Sequence, residues 1–300
     1  MPVAELTTGS RCAKRAEVAF TPLDVVRRWP RHLPLAALVS AGCSSPWSRW
    51  SILAAPSESL SFRGHEIDRL WDLLASRSAR SARGEDPVPF IGGWIVSLRY
   101  EAGFALEPAA GALPTDVVAT LHRCEDALVH DNQSGQWWRV GQKDLAPGLE
   151  SQPPEDREPR IAAQSPTGRA QFEDSVNRAL EYIRAGDVYQ VNLSHPLRAA
   201  FDADPRSFYA ESAARLAPWY GAYIDEVEPG HVTMSWSPEL LVQVQGQTRA
   251  VVTRPIKGTR PNDSGAAQSL LVSTKDRAEL AMITDLMRND LGRVCDFGSV

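Results

Sequence analysis

Apolar and polar residues follow two kinds of pattern along this 300-residue chain, one typical of strands and one typical of helices. Apolar residues recur every three or four positions in the predicted helices, and alternating or continuous runs rich in valine and aromatic residues mark the predicted strands. Helices are predicted from about residue 22, at 67–74, from 165 or 167 to Gly186, at 205–216 and at 274–288. Strands are predicted at 35–40, 90–100, 117–122, 127–130, 136–140, 187–194, 221–224, 232–235 and 247–253. Residues 46–54 are predicted to be a loop that runs into a further strand.

A proline-rich, acidic segment at residues 146–167 interrupts these patterns. Such a composition is typical of a linker, because proline stiffens the chain and excludes it from regular ladders. We therefore predict two domains, residues 1–145 and residues 168–300, joined by a linker at 146–167. The first 18 residues are assigned no element.

Composition excludes several classes of protein. The hydrophobic content of 43% can form a large core, and the net charge of -5 provides no basic field for a nucleic acid. The sequence contains no run of 18 apolar residues and no signal-peptide pattern, so neither membrane insertion nor export is expected. The cysteines are far apart without CxxC spacing, which predicts thiols in a reducing, cytoplasmic compartment: Cys12, Cys43, Cys124 and Cys295.

The segment at residues 254–261, Arg-Pro-Ile-Lys-Gly-Thr-Arg-Pro, places a primary amine where the backbone is almost fully prescribed. Pro255 and Pro261 fix φ near its ends, and Gly258 frees φ in its middle. Only four of the chain's 32 basic residues are lysines, and one of them, Lys257, lies here. A lysine can lose its proton when desolvated and become a nucleophile, whereas arginine effectively cannot. Lys257 is therefore a candidate catalytic residue, and the alternative is an ordinary surface lysine.

Two further groups of residues suggest binding. Trp47 and Trp50 flank Ser48 and Arg49, a combination that fits either a binding pocket or a core in which the arginine stacks on an indole. On the last predicted helix, Glu279 shares a face with apolar residues. A carboxylate on a core-facing stripe needs a cation, a metal or a proton, so Glu279 is a candidate metal ligand.

Four stretches, in this order, resemble the chorismate-utilising enzyme family, which includes component I of aminodeoxychorismate synthase and of anthranilate synthase. They lie at residues 182–194, 237–239, 254–261 and 276–293. The resemblance is strong over residues 165–300 and looser over 18–145. It implies an α+β fold in which two antiparallel sheets pack together and are flanked by helices, an αββα sandwich. The family's chain continues well beyond a point corresponding to residue 300, so the resemblance also implies a fold that is incomplete at its C-terminus.

The resemblance implies a function through Lys257, because anthranilate synthases typically carry alanine at that position. It implies an aminodeoxychorismate synthase component I, which makes 4-amino-4-deoxychorismate from chorismate and ammonia for 4-aminobenzoate and folate synthesis. Lys257 would be the nucleophile, Glu239 the general acid, Glu279 a Mg2+ ligand, and Gly258 and Thr259 substrate contacts. A glutamine amidotransferase subunit would supply ammonia, and relatives hold L-tryptophan in a pocket near residues 47–50, here Trp47, Ser48, Arg49 and Trp50.

Two alternatives stay open. The first is anthranilate synthase component I, which Lys257 disfavours. The second is an inactive, truncated fragment that only associates with an amidotransferase. Because the family's chain continues further, we also expect residues 165–300 of this piece, expressed alone, to be aggregated or molten, since missing strands would leave apolar surface exposed.

Overall fold

The computed structural model describes residues 13–42, 45–76, 86–107, 111–112, 114–149, 162–246 and 248–300. These form two compact units, one from residues 1–153 and 209–300 and the other from residues 154–208. The strands are β1 Lys14–Ala16, β2 Ala36–Val39, β3 Trp50–Arg63, β4 Gly93–Leu98, β5 Val117–Asp131, β6 Gln136–Val140, β7 Tyr220–Asp225, β8 Val232–Ser237, β9 Leu240–Val244 and β10 Val251–Arg254. The α-helices are α1 Pro22–Arg28, α2 Ile67–Ser76, α3 Arg169–Ala185, α4 Pro205–Leu216, α5 Ala266–Val272 and α6 Thr274–Gly292.

The larger unit is built on an eight-stranded antiparallel sheet with the order β1-β6-β5-β3-β2-β7-β8, to which β4 is added at β5. Strands β3 and β5 form its longest pair, and the other edge of β5 is shared by β4 and β6. Strands β7 and β8 follow the predicted linker in the chain and join the same sheet through β2. Strands from both predicted domains therefore contribute to one sheet, and the boundary at 146–167 stays a prediction.

The two strands predicted at 117–122 and 127–130 are one continuous strand, so that prediction was wrong. The polar residues between the two predicted strands are paired within the sheet: Arg123 contacts Glu125 at 2.8 Å and Glu58 of the neighbouring strand at 3.8 Å. The pairing of β5 with β3 is irregular here, because the register shifts on both sides of Pro56 and leaves Glu125 of β5 and Ser57 of β3 without a directly opposite residue. A proline cannot donate a ladder hydrogen bond, which explains a bulge at that position. His122 is an ordinary sheet residue as predicted, with Nδ1 2.8 Å from Ser59 Oγ.

Helices cover the sheet with apolar side chains. Helix α1 begins at Pro22 after an N-cap at Thr21, whose hydroxyl and Asp24 form the reciprocal contacts of a capping box. The main buried cluster joins this helix, the strands and α4 from Tyr209 onwards: Val25, Val26, Trp29, Leu35, Ala37, Val39, Leu53, Leu128, Trp137, Leu145, Tyr209, Ala213 and Tyr223. Tyr209 packs edge-on against Tyr223 and stacks on Trp236, which fixes α4 to β7 and β8.

The smaller unit contains α3 and the segment that follows it. The helix starts after an N-cap at Gly168 rather than at 165 or 167, and it ends at Gly186 as predicted. Gly186 has φ of 82°, and the amide of Asp187 donates to the Tyr182 carbonyl, the bond that closes a left-handed helix end. The strand predicted at 187–194 is wrong: these residues have no strand partner among those described and are exposed. An alternating pattern forms a strand only when a neighbouring strand satisfies its backbone.

Strands β9 and β10 form a separate two-stranded antiparallel sheet, followed by α5 and α6. Helix α6 begins after Ser273, whose hydroxyl accepts a hydrogen bond from the Asp276 amide, as the capping pattern predicted. It packs on β10, where the Thr253 hydroxyl lies 3.8 Å from Met287 Sδ. Helix α5 was not predicted. Among the described residues, no helix combines the length and apolar character that crossing a bilayer requires.

The free thiols of the described chain are Cys124, which is buried, and Cys295, which is half-buried. Cys12 and Cys43 lie outside the described residues. The mixture of helices and antiparallel sheets confirms the α+β class.

Candidate active site

The lysine loop, residues 255–261, follows β10 directly and is held at its centre by a close contact. Gly258 has φ of 83°, a conformation that favours glycine. A Cβ at this position would lie 2.7 Å from Leu270 Cδ2 and 3.1 Å from Asp276 Cγ. Gly258 therefore lets the loop approach α5 and the start of α6, and the half-buried Lys257 lies immediately before it.

The far end of the lysine loop is tied to the same helix by an ion pair. Arg260 Nη2 donates to a carboxylate oxygen of Asp276, which is 9% exposed. Asp276 also contacts Ser273. The contact with Ser273, and after it the contact with Arg260, lowers the pKa of the Asp276 carboxyl. The loop and the N-terminus of α6 consequently form one connected piece of structure.

Glu239 lies at the turn between β8 and β9 and reaches the start of the lysine loop. Its backbone is fixed by Ser237, whose hydroxyl lies 3.2 Å from the Glu239 amide and 3.1 Å from its carbonyl. Its Oε1 accepts a hydrogen bond of 3.0 Å from the backbone amide of Ile256. The structure thus brings the predicted general acid to the residue that precedes Lys257.

Glu279 lies on α6 one turn after Asp276 and is half-buried. Lys275 on the preceding turn places Nζ 3.5 Å from its Oε1. The apolar stripe expected beside Glu279 is not a buried core face among the described residues, since Leu280 and Leu286 are about 40% exposed. Glu279 nevertheless offers what Mg2+ requires, a hard oxygen ligand that is accessible, because Mg2+ is commonly held by one or two carboxylates with water and substrate completing its shell. No cluster of three or more metal-ligating side chains occurs in the described part of the chain.

The segment of residues 47–50 leads into β3, and an arginine stacks within it. Arg49 Cζ lies 4.5 Å from the centre of the Trp50 ring, and Ser48 is buried. Trp47 is 41% exposed. The guanidinium of Arg49 also makes two hydrogen bonds to Asp131, of 3.0 and 2.8 Å, at the end of β5.

Asp131 supports this segment through a buried carboxylate that accepts four hydrogen bonds. Besides Arg49, its donors are the Gln133 amide at 3.0 Å and the Ser134 hydroxyl at 2.9 Å. The Arg49 contact is the main cause that lowers the pKa of Asp131 to about 2. The pKa of this carboxyl is near 4 in the unfolded chain, so the ionised Asp131 stabilises the folded protein above about pH 4. That stabilisation is lost as the pH falls from about 4 to about 2, where Asp131 becomes protonated in the folded protein too.

We expect Asp131→Asn to destabilise the protein by about 1–2 kcal/mol at pH 7, because the partly exposed Arg49 loses its charged partner. The difference should shrink as the pH falls from 4 towards 2, since wild-type Asp131 becomes protonated there. Urea unfolding at pH 7 and pH 3 measures both values. Asp116→Asn, at an exposed carboxylate just before the same strand, is the matched control and should change stability by less than about 0.5 kcal/mol. An equal loss of unfolding free energy in Asp131→Asn at both pH values would show that the charge of Asp131 is not what stabilises the fold.

Several residues at the site escaped the sequence analysis. The sequence alone assigns no role to Arg254, although its guanidinium lies over the ring of Trp47. Arg260 and Asp276 were not recognised as a pair. A basic residue in a fixed loop and an acidic residue at a helix start were visible signals, but their pairing depends on how α6 packs.

Comparison with known proteins identifies the family. The sequence profile of the chorismate binding enzymes matches residues 40–300. The chain belongs to the chorismate binding enzyme family. This confirms the resemblance drawn from the four sequence stretches.

Members of both branches are similar to this chain. Aminodeoxychorismate synthase component 1 of Escherichia coli is 33% identical over 303 residues, covering 90% of this chain and 66% of the relative. Anthranilate synthase component 1 of Thermus thermophilus is 34% identical over 320 residues, covering 93% and 67%. The crystal structure of anthranilate synthase component I from Streptococcus pneumoniae matches with a TM-score of 0.66 and 25% identity, covering 83% of this chain and 62% of that one. The chain therefore spans about two thirds of the length of these family members, and identity alone does not separate the two branches.

Proposed function

We propose that this protein is the chorismate-aminating component of an aminodeoxychorismate synthase, which replaces the C4 hydroxyl of chorismate with an amino group from ammonia. The observation that carries the proposal is the place of Lys257. It lies in a loop fixed by Gly258 and by the Glu239–Ile256 hydrogen bond, one residue after the amide that the Glu239 carboxylate binds. Amine and acid are the two groups that this substitution requires.

In the proposed reaction, the neutral amine of Lys257 adds to the ring at C2, the far end of the conjugated system. The double bonds shift, and the C4–O bond breaks while Glu239 gives the departing hydroxyl a proton, so that water leaves. Ammonia then forms a bond to C4 as the bond between C2 and the lysine nitrogen breaks. The sum is chorismate plus ammonia giving 4-amino-4-deoxychorismate plus water.

The remaining residues position the substrate. The Gly258 backbone, which has no side chain to obstruct approach, and the exposed Thr259 would contact chorismate beside the lysine. Glu279 would hold Mg2+, which when bound supplies positive charge for a substrate carboxylate. A glutamine amidotransferase subunit would provide the ammonia.

Anthranilate synthase component I is the second candidate, and similarity to a relative of that name favours it. Lys257 argues against it, because a covalent role for a lysine serves substitution at C4. Incubating the protein with chorismate, Mg2+ and ammonium and identifying products by mass spectrometry tests the proposal. We expect 4-amino-4-deoxychorismate. Anthranilate as the main product would assign the chain to the other branch, and no product under glutamine with an added amidotransferase would favour a purely binding role.

We also propose that the segment of residues 47–50 borders a site for L-tryptophan, since Trp47 presents a half-exposed indole beside the buried Ser48. Titration calorimetry with L-tryptophan should give a saturable heat at or below millimolar ligand. L-Phenylalanine, which lacks the indole N–H donor, should bind more weakly and serves as the control ligand. Absence of heat at millimolar L-tryptophan would remove this site.

A further inference from the structure

The guanidinium of Arg254, the last residue of β10, lies between two indole rings. Its Cζ is 4.2 Å from the centre of the Trp47 ring and 5.6 Å from the centre of the Trp219 ring. Indole faces attract cations more strongly than other aromatic rings do, and both distances fall within the range of that attraction. Among the described residues, the Arg254 side chain takes part in no hydrogen bond or ion pair, so the two rings define its position.

The Trp219 ring is held by the backbone around it. The Trp219 carbonyl accepts a hydrogen bond of 2.7 Å from the Ser40 hydroxyl. The chain at Gly42 approaches the ring so closely that a Cβ there would lie 2.4 Å from Trp219 Cδ1. The amide of Gly42 also donates to the Pro218 carbonyl at 3.1 Å. Trp219 is therefore fixed against the end of β2.

Trp47 is held by the turn that carries it. Its amide donates to the Ser45 hydroxyl at 3.2 Å, and the amide of Ser48 donates to the Ser45 carbonyl at the same distance. The Asn132 side-chain amide donates to the carbonyls of Ser48 and Ser40, both at 3.1 Å. One asparagine thus joins the turn of Trp47 to the strand end beside Trp219, which fixes the separation of these two backbone segments.

The backbone between Arg254 and Lys257 has little freedom to move independently. Pro255 fixes its own φ and restricts Arg254 to an extended conformation. The next amide, that of Ile256, is already bound to Glu239 at 3.0 Å. A displacement of Arg254 would therefore be transmitted to Lys257, because few soft dihedrals lie between them.

We propose that Arg254 is a positioning residue, clamped by Trp47 and Trp219, which fixes the start of the lysine loop and thereby the place of the Lys257 amine. The proposal deepens the function proposed above and rests on the role given there to Lys257. The aromatic clamp acts through the loop and does not touch the substrate. Its effect should appear in the accessibility of one amine, whether or not the protein turns over chorismate.

Trace acetylation followed by mass spectrometry of the peptides measures that accessibility. The chain has only four lysines, so exposed Lys14 and Lys143 serve as internal references in every sample. We expect Arg254→Gln and Trp47→Leu each to raise the acetylation rate of Lys257 relative to these references by about fivefold. This is the change in the opening equilibrium of the lysine loop that losing a cation–π contact of ordinary strength would produce. Trp47→Phe keeps an aromatic face under the guanidinium, so its relative rate of Lys257 acetylation should stay within about twofold of the wild-type rate.

Turnover gives a second readout. A displaced lysine loop should lower kcat in Arg254→Gln by a similar factor with little change in KM, because orientation of the nucleophile is lost and not substrate contact. Arg249→Gln, at an exposed arginine in the turn between β9 and β10, is the matched control and should leave both values unchanged.

Three results would overturn the aromatic clamp: unchanged Lys257 acetylation in both Arg254→Gln and Trp47→Leu, equal effects of Trp47→Phe and Trp47→Leu, or a parallel rise at Lys14 and Lys143 that reports general loosening. Should Arg254→Gln not fold, the two variants of the half-exposed Trp47 still decide the question. Altered Lys257 acetylation in a protein that makes no aminodeoxychorismate would keep the clamp and overturn the proposed function instead.

Discussion

Replacing Lys257 with alanine is expected to reduce formation of 4-amino-4-deoxychorismate by about a thousandfold or more, while chorismate binding is largely retained. Removal of a covalent nucleophile has effects of this size or larger, because the reaction loses the intermediate that divides one difficult step into two. The expected signature is a fall in kcat with little change in the dissociation constant of chorismate. Mass-spectrometric product analysis and equilibrium binding measure the two quantities separately. The variant should also begin to form anthranilate, since alanine is the usual residue in that branch.

Two further variants separate the charge of Lys257 from its nucleophilicity. Lys257→Arg keeps a positive charge that is effectively never lost, so it should be as inactive as the alanine variant. Lys143→Ala removes an exposed lysine far along the chain from the loop and should behave as wild type. Wild-type turnover in Lys257→Ala would remove the nucleophile assignment, and substantial activity in Lys257→Arg would show that the charge alone matters.

Glu239→Gln is expected to lower kcat by about a hundredfold to ten-thousandfold, the usual contribution of a positioned general acid. Glutamine can still accept a hydrogen bond from the Ile256 amide, as Glu239 does at 3.0 Å, so the loop should keep its position. What the variant lacks is a proton to give to the departing hydroxyl. Steady-state kinetics measure the loss, and the acetylation rate of Lys257 shows whether the loop has stayed in place.

Glu228→Gln provides the matched comparison, because it changes an exposed carboxylate in the turn between β7 and β8. Its kcat should equal that of the wild type. Turnover of Glu239→Gln within twofold of wild type would show that another group protonates the leaving hydroxyl. A fall in kcat accompanied by faster Lys257 acetylation would instead make Glu239 a support for the loop.

The lysine loop is thus anchored on three sides. Arg254 holds its start, Glu239 holds the amide of Ile256, and Arg260 holds its end to Asp276. Holding a nucleophile in place in this way raises the rate of the reaction. A misplaced reactive group lowers that rate far more than the loss of a single contact would suggest. We therefore expect substitutions at Arg254 and Arg260 to affect kcat more than KM, even though neither residue is assigned to the substrate.

The sequence by itself determined the features that depend on neighbouring residues. Thr21 and Ser273 start helices and Gly186 ends one because their side chains, or the lack of one, act on backbone groups within a turn. Pro255 and Gly258 likewise prescribe the lysine loop locally. The four stretches that resemble the chorismate-utilising enzymes were sufficient to predict the family and the α+β class, and both are confirmed.

Only the tertiary structure decided which residues meet across the chain. The continuity of β5 depends on its pairing with β3, and the segment at 187–194 failed as a strand because no described strand pairs with it. Arg49 meets Asp131 across 82 positions of sequence, and Arg254 reaches the rings of Trp47 and Trp219 only because β10 ends beside them. Local patterns constrain the backbone of each element, but contacts between distant elements depend on how those elements pack, which no short stretch of sequence specifies.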